Sequence, residues 1–404
     1  MVFPPIIHTF SPVKEMRVAI YSGAIPSTTF IENLIKGIAD EGIEVCLFGT
    51  RNKLTNYASH HIHIYATPKN GVLLLFSVVA QFIALCISHP KRLKVLFAHL
   101  RKQKTKTSLR AWGKMLPIML HLPDVFHLQW AKSAEEWLFL KKLGVKLVVS
   151  FRGAQVNYSP VCDDALAASY RRSLPQYDVY HCVSNAIMKE GVKYGAVEEK
   201  STVIYPAVQD KLLERQLTRT SSKVLRILSV GRDHWKKGYR VSLDAMAILK
   251  ERGVPFHYTI VAGGEKEELI YAISDLNLTD EVTLIDNLPH DKVFEQHANA
   301  DIFLLPSFEE GVANVVLEAM ALGTPVISTD CGGMKEVIED GVNGFIVPMR
   351  NPKAAAEAIV RFSKLDEEQK QHLVEKAKET IKQKHVLRIQ VSQMLKLYER
   401  VCHE

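Results

Sequence analysis

Two acids in the stretch SFEEGVANVVLEAMALGTPVISTD, Glu310 and Glu318, stand with seven residues between them. The second is the stranger of the two. Its neighbours Val315, Val316, Leu317, Ala319, Met320, Ala321 and Leu322 are all apolar, and a helix apolar all round is a buried one. A carboxylate is rarely left buried without a partner. Glu318 therefore needs either a structural salt bridge or the hydroxyl groups of a ligand. Open α/β sheets place ligands at the carboxyl ends of their strands, and the apolar run 301–305 is the strand that leads into this segment. Asn314 is the expected N-cap of a helix over 315–322, with Gly323 at its end and Pro325 stopping it. The free N–H groups and positive dipole end of such a helix start suit a phosphate.

A second set of candidates lies upstream. Gly231-Arg232 follows an apolar strand over 225–230, and Lys236-Lys237-Gly238 comes next. Arg232 offers a planar fork of donors and Lys237 a compact charge. Together they fit a diphosphate, and they also fit an ordinary solvated loop. The spacing is not that of a Walker loop, because no Gly-Lys-Ser/Thr follows. No Asp-x-Asp occurs in the 404 residues, so the carboxylate pair that would hold a divalent metal on a diphosphate is missing. Protein groups alone are then expected to neutralise the phosphates, with no metal and no cofactor.

The elements that must position these groups alternate strand and helix. Strands are predicted over 16–21, 43–48, 124–129, 145–151, 180–183 and 202–205, then over 225–230, 256–262, 282–285, 301–305 and 326–328. Helices fall between them, over 28–40, 132–143, 184–194, 241–252 and 291–297, and the chain closes with one over 386–401. This is the pattern of doubly wound α/β domains, and the length suffices for two. We place the first over 1–206, the second over 207–383 and a closing helical segment over 384–404, with a polar stretch over 209–223 between the domains. Gly23, after the first strand, either forms a tight turn or lets a ligand approach the backbone.

The ordered set of Arg232, Lys237-Gly238, the acidic pair, EAMALGTPVIST and GGMKEVIEDGVNGF resembles the donor-site signature of glycosyltransferase family 4. The resemblance is strong over 225–356 and continuous but weaker before it. IPSTTFIENLI resembles the P-x-x-S-E-T-F-I opening of exopolysaccharide-type members, with Thr28 where those have glutamate. The resemblance implies the GT-B fold, two Rossmann-like domains facing each other across a cleft, with the last helix packed back on the first. It implies a retaining transfer from a UDP- or GDP-linked sugar to a saccharide acceptor, lipid-linked in some members, in polysaccharide or glycolipid assembly. Residue by residue, it implies that Glu310, Arg232 and Lys237 are catalytic. Gly23, Gly231, Asn287, Leu288, Gly311, Val312, Asn314, Val315 and Glu318 would bind the donor, with Asn287-Leu288 at the base and Glu318 at the ribose. Ser27, Arg152 and Gln155 would face the acceptor. Here the chain departs from the pattern: many relatives read His-Gly-x-Asp where this one has Arg152-Gly153-Ala154-Gln155. An arginine in that place suits an anionic acceptor group. His127 reads as a strand-end histidine rather than a catalyst. Two other readings stay open, a sugar-nucleotide epimerase or hydrolase on the same fold and a non-catalytic sugar-nucleotide-binding subunit.

Composition narrows the setting. Hydrophobic residues make up 47% and charged residues 24%, as in soluble globular proteins. The net charge is +7, and its source is local. Lys91, Arg92, Lys94, Arg101, Lys102, Lys104, Lys106, Arg110 and Lys114 follow one another with no acid between them. Leu93, Val95, Leu96, Phe97, Leu109 and Trp112 are interleaved, which fits an interfacial helix better than a nucleic-acid groove. The run is either a solvated face or a patch for anionic lipid. Before it, residues 72–87 are apolar apart from Ser77 and Gln81. Sixteen residues fall short of the ~20 that cross a bilayer, so a buried or membrane-surface helix is expected. Cys46, Cys86, Cys162, Cys182, Cys331 and Cys402 form no Cys-x-x-Cys and read as reduced thiols. Residues 1–17 lack the charge and apolar pattern of a signal peptide. The expected location is cytoplasmic, peripheral at the inner face of the cell membrane.

Overall fold

A computed structural model describes residues 16–102, 108–215 and 222–403. The reading of the first residues as lacking a signal peptide, and the side chains of Lys102, Lys104 and Lys106, lie outside what is described. The described residues form two parallel sheets. In the first, β1 (Arg17–Ile25), β2 (Glu44–Arg51), β3 (Ile62–Thr67), β4 (Val125–Leu128), β5 (Lys146–Phe151), β6 (Val179–Cys182) and β7 (Ser201–Val203) lie in the order β3-β2-β1-β4-β5-β6-β7. In the second, β8 (Leu225–Val230), β9 (Phe256–Val261), β10 (Val282–Ile285), β11 (Ile302–Leu305), β12 (Val326–Thr329) and β13 (Phe345–Val347) lie in the order β10-β9-β8-β11-β12-β13. By packing, the described residues divide into two compact units, one of 16–149, 176–179 and 395–403, the other of 150–175 and 180–394.

Both sheets are wound outward in two directions. In the second, the chain runs β8 to β10 one way and β11 to β13 the other. The strand order therefore reverses between β8 and β11, and ligands of such sheets bind beyond the carboxyl ends of the strands at that reversal. The loops leaving β8 and β11 are the two that carry Arg232, Lys237 and Glu310. The strands hold their place because they are apolar on both faces: Ile302, Phe303, Leu304 and Leu305 are all buried, as parallel strands covered by helices must be. Ser229 Oγ donates to Leu304 O at 2.6 Å and takes a hydrogen bond from Tyr258 Oη at 2.8 Å.

Features that differ from the sequence reading include the strands β3 and β13 and the helix expected over 132–143. β3 was not expected, because its residues Ile62–Thr67 are half-buried rather than apolar on both faces. The helix expected over 132–143 is broken into a 3-10 turn Ala131–Ser133, a single turn Ala134–Trp137 and a 3-10 stretch Leu138–Leu143. Trp137 fixes the break: it is fully buried, with Tyr21 and Phe126 at centroid distances of 4.8 and 4.9 Å. The apolar run, expected as a buried or membrane-surface helix, forms a helix that is mostly exposed.

After α1 (Thr29–Asp40) come α2 (Gly71–Ser88), α3 (Pro90–Lys102) and α4 (Leu109–Leu120). Asn70 caps α2 by accepting from Val72 and Leu73 N–H. Only Leu74, Val78 and Leu85 of α2 are buried, whereas Val72, Leu73, Phe76, Ile83 and Ile87 are 52–80% exposed. By length and composition α2 is able to cross a membrane. Phe82 of α2, Phe97 of α3 and Trp112 of α4 meet edge to face at 5.3–6.2 Å and tie the three helices together.

Candidate active site

The loop after β8 turns through Gly238, which sits at φ +66°. A Cβ there would lie 2.1 Å from Pro306 O, so only glycine lets this loop approach the end of β11. A hydrogen bond from Phe308 N to Lys236 O at 2.7 Å joins the two loops. Gly231 matters for a different reason: a Cβ there would meet Lys237 Cε at 2.9 Å, so its absence leaves room for the lysine stem.

That stem delivers Lys237 Nζ to Glu310 Oε1 at 2.7 Å, with side chains only 15% and 12% exposed. Ser307 Oγ donates to the same carboxylate oxygen at 3.1 Å. The two groups assigned to catalysis from separate loops are thus an ion pair. Arg232, on the same loop as Lys237, is exposed and makes no ion pair or hydrogen bond among the described residues.

The backbone of Glu310-Gly311 is wedged. A Cβ on Gly332 (φ +52°) would fall 1.7 Å from Glu310 O, one on Gly333 2.4 Å from Gly311 O, and one on Gly311 2.8 Å from Arg152 O. Gly333 N also donates to Gly311 O at 2.8 Å. The loop carrying Arg152 and Gln155 therefore packs directly on the acidic loop. Glu309 takes a hydrogen bond from Asn157 Nδ2 at 2.7 Å, and burial, with Glu190 nearby, pushes its carboxyl above the ordinary range.

Glu318 lies on the helix Asn314–Ala321, its side chain 13% exposed. Its partner is His290, whose Nε2 is 2.9 Å from Oε1. The hydrogen bond to Glu318, opposed by partial burial, raises the pKa of His290. This histidine was not singled out in the sequence, where PHDKV reads as a polar helix start. Asn314 requires a correction. It is the first helical residue rather than the N-cap, a position taken by Ala313 with extended backbone and no side-chain cap. Asn314 Oδ1 is instead buried with no hydrogen-bond partner among the described residues. Val312 is buried and Val315 half-buried beside it. Asn287 is exposed and fits over Gly263, where a Cβ would collide with its amide at 2.1 Å. Leu288 packs on the apolar cluster beneath.

The second unit holds Gly231, Arg232, Lys237, Asn287, Leu288, Glu310, Gly311, Val312, Asn314, Val315 and Glu318, and Arg152 and Gln155 belong to it as well. Gly23 and Ser27 belong to the first unit. Gly23, at φ +85°, lies at an irregularity in the pairing of β1 with β2. Ser27 N donates to Glu32 Oε1 at 2.7 Å. His127 is buried against Tyr398 Oη at 2.6 Å. Among the described residues no group of His, Cys, Asp and Glu is placed to hold a metal ion.

Two Rossmann-like parallel sheets, each doubly wound, give the chain the GT-B class of fold. Solved structures agree on the fold. Sucrose-phosphate synthase of Thermosynechococcus elongatus superposes with a TM-score of 0.71 at 18% identity, over 96% of this chain and 99% of that one. HepE of Anabaena in complex with UDP-glucose gives 0.67 at 18% identity, over 95% and 100%. In sequence, residues 27–212 match the Glycosyltransferase Family 4 model and residues 210–380 the model of glycosyl transferases group 1. The amylovoran biosynthesis glycosyltransferase AmsK of Erwinia amylovora is 33% identical over 231 residues, 55% of this chain and 56% of that protein. WcaL of Escherichia coli, assigned to colanic acid biosynthesis, is 30% identical over 64% of this chain and 66% of its own length. The matches thus span between half and two thirds of these relatives. The chain belongs to the family 4 glycosyltransferases.

Proposed function

We propose that this chain transfers a sugar from a nucleotide donor to a saccharide acceptor, with retention of anomeric configuration, during assembly of an extracellular polysaccharide. One observation carries the reading: Lys237 and Glu310 pair across the two loops flanking the strand reversal, with Arg232 uncommitted on the loop of Lys237. The relatives named for amylovoran and colanic acid biosynthesis, and a neighbour solved with UDP-glucose, support donor and process. The donor is UDP- or GDP-linked.

In this reading the bond between the anomeric carbon and the β-phosphate oxygen breaks, and the phosphate keeps the electron pair. Arg232 and Lys237 stabilise the charge that develops there, and no metal takes part. The acceptor hydroxyl attacks the same face of the sugar and passes its proton to the departing phosphate oxygen. Glu310, held by Lys237 and Ser307, orients the sugar and stabilises positive charge at the anomeric carbon. Glu318 shares its carboxylate between His290 and the ribose hydroxyls. The buried, unpartnered Asn314 amide oxygen takes a hydrogen bond from the nucleotide, since an unsatisfied buried acceptor is costly. Arg152 and Gln155 face the acceptor. The exposed apolar face of α2 and the basic residues around it rest on anionic lipid at the cytoplasmic face of the membrane.

The test is mass-spectrometric screening of nucleotide sugars against saccharide acceptors, with and without acceptor present. Product carrying one added sugar, formed by the wild type and lost in Lys237→Ala, is expected. Donor turnover that needs no acceptor would instead identify an epimerase or hydrolase, and binding without turnover a non-catalytic subunit.

A further inference from the structure

The helix Tyr239–Glu251 begins on the loop that carries Arg232 and Lys237, and the side chain of its first residue has no part in the chemistry described so far. Tyr239 is only 4% exposed and belongs to the apolar cluster of Ile227, Leu243 and Tyr258. Its hydroxyl is buried and has no hydrogen-bond partner among the described residues. Tyr258, in the same cluster, shows what such a hydroxyl ordinarily finds. It donates to Ser229 Oγ at 2.8 Å and lies 2.9 Å from Ser242 Oγ. Burying an O–H without an acceptor costs stability, and phenylalanine would fill the same space without that cost. The Tyr239 hydroxyl therefore does not serve the ligand-free fold.

The surroundings of the hydroxyl select its acceptor. Tyr239 Oη lies on one side of Gly231, next to the stem of Lys237: a Cβ on Gly231 would stand 3.0 Å from the hydroxyl and 2.9 Å from Lys237 Cε. Gly231 follows β8, so the hydroxyl is at the carboxyl end of a strand flanking the reversal in strand order, where ligands of such sheets bind. The stem of Lys237 runs on to Glu310 at 2.7 Å. The start of the helix adds positive potential, since it has no side-chain cap and no acid in its first turn. Burial, with Tyr258, Asp233 and Glu310 near, raises the pKa of the phenol, so the group is an O–H donor rather than a phenolate. A lone O–H donor beside a lysine and a helix start fits an anionic oxygen. With Glu310 facing the sugar and Lys237 the leaving group, the phosphate nearest the hydroxyl is the one bonded to the sugar. We propose that Tyr239 is a further donor-site residue, whose hydroxyl gives a hydrogen bond to the β-phosphate when the neighbouring Lys237 stem turns toward that phosphate. Tyr239 keeps its proton throughout. Its hydrogen bond strengthens as the phosphate oxygen takes the electron pair of the breaking bond to the anomeric carbon. The inference rests on the transferase reading above and adds a residue to its leaving-group side.

Calorimetric titration of the full chain with UDP, and with UMP, which lacks the β-phosphate, tests the assignment. GDP and GMP replace them if the wild type binds guanine nucleotides instead. Tyr239→Phe removes only the hydroxyl oxygen. The variant is expected to bind UDP about tenfold more weakly than wild type, as for one hydrogen bond to a charged acceptor, and UMP with unchanged affinity. Its ligand-free melting temperature should equal or exceed that of wild type, because an unpartnered buried hydroxyl is gone. Equal UDP affinity in the two proteins overturns the proposal. A parallel loss for UDP and UMP also overturns it, since that marks a general distortion of the site. A lowered melting temperature does the same, because the hydroxyl is then structural. The wild-type titration reads the transferase reading separately. No binding of UDP or GDP there removes that reading and this one together, whereas UDP binding that Tyr239→Phe leaves intact removes the tyrosine alone.

Discussion

Of the charged groups assigned to the donor site, all but one are committed in pairs among the described residues. Glu310 is held by Lys237 and Ser307 and Glu318 by His290, whereas Arg232 stands alone. Removing a committed partner should differ from removing the free one. Lys237→Ala strands a largely buried carboxylate and removes a charge facing the leaving phosphate. Its kcat/KM should fall by roughly 10²–10³, the usual cost of one electrostatic stabiliser. Arg232→Ala should leave the melting temperature unchanged and weaken UDP binding by about tenfold, or about 1.4 kcal/mol. If it lowers stability instead, the guanidinium is structural. His290 gives a pH signature. Its raised pKa means that the protonated ring is favoured in the folded state. Its contribution is then complete below the ordinary histidine value of about 6.5 and is lost as pH rises through the raised value. The stability difference between wild type and His290→Ala, followed by denaturant unfolding, should shrink from acid to alkaline pH. A difference that grows with pH would contradict the pairing. Glu318 was legible as an anomaly because its neighbours are apolar. Its partner was not, because a histidine 28 positions away in a polar run carries no local sign of facing it.

At the scale of elements, the site depends on a few backbone contacts that only glycine permits. Gly238→Ala forces a Cβ to 2.1 Å from Pro306 O at a left-handed residue. A loss of about 2–4 kcal/mol, read from urea unfolding, is expected for such combined strain and overpacking. An unchanged midpoint would mean that the two loops do not meet as described. Strands β8 and β10 were legible to the residue, because each is an apolar run bounded by turn residues. The helix Asn314–Ala321 starts one position before the expected start, with Ala313 at the cap and no side-chain cap hydrogen bond although Asn is the better capping residue. β3 escaped notice because an edge strand with half-buried residues lacks the unbroken apolar run that marks the others. The hydropathy of α2 was plain in the sequence, but its exposure was not. A buried helix and a lipid-facing one share one composition, and only their neighbours tell them apart.

Across the whole molecule, two sheets of similar winding carry different chemistry at their carboxyl edges. The second presents acids, paired cations and a free arginine; the first leads after β3 into an exposed apolar helix. The alternation of strands and helices made the doubly wound class legible, and the ordered motifs of the second half made the family legible. The central claim is that the residues around Glu318, Arg232 and Lys237 bind a sugar nucleotide. Calorimetric titration of UDP into wild type and Glu318→Ala tests it most directly. The account predicts saturable binding to wild type and at least about tenfold weaker binding to the variant, as expected when a charged hydrogen bond to the ribose is lost. Equal affinity in the two proteins, or no binding of UDP or GDP to wild type, would contradict it.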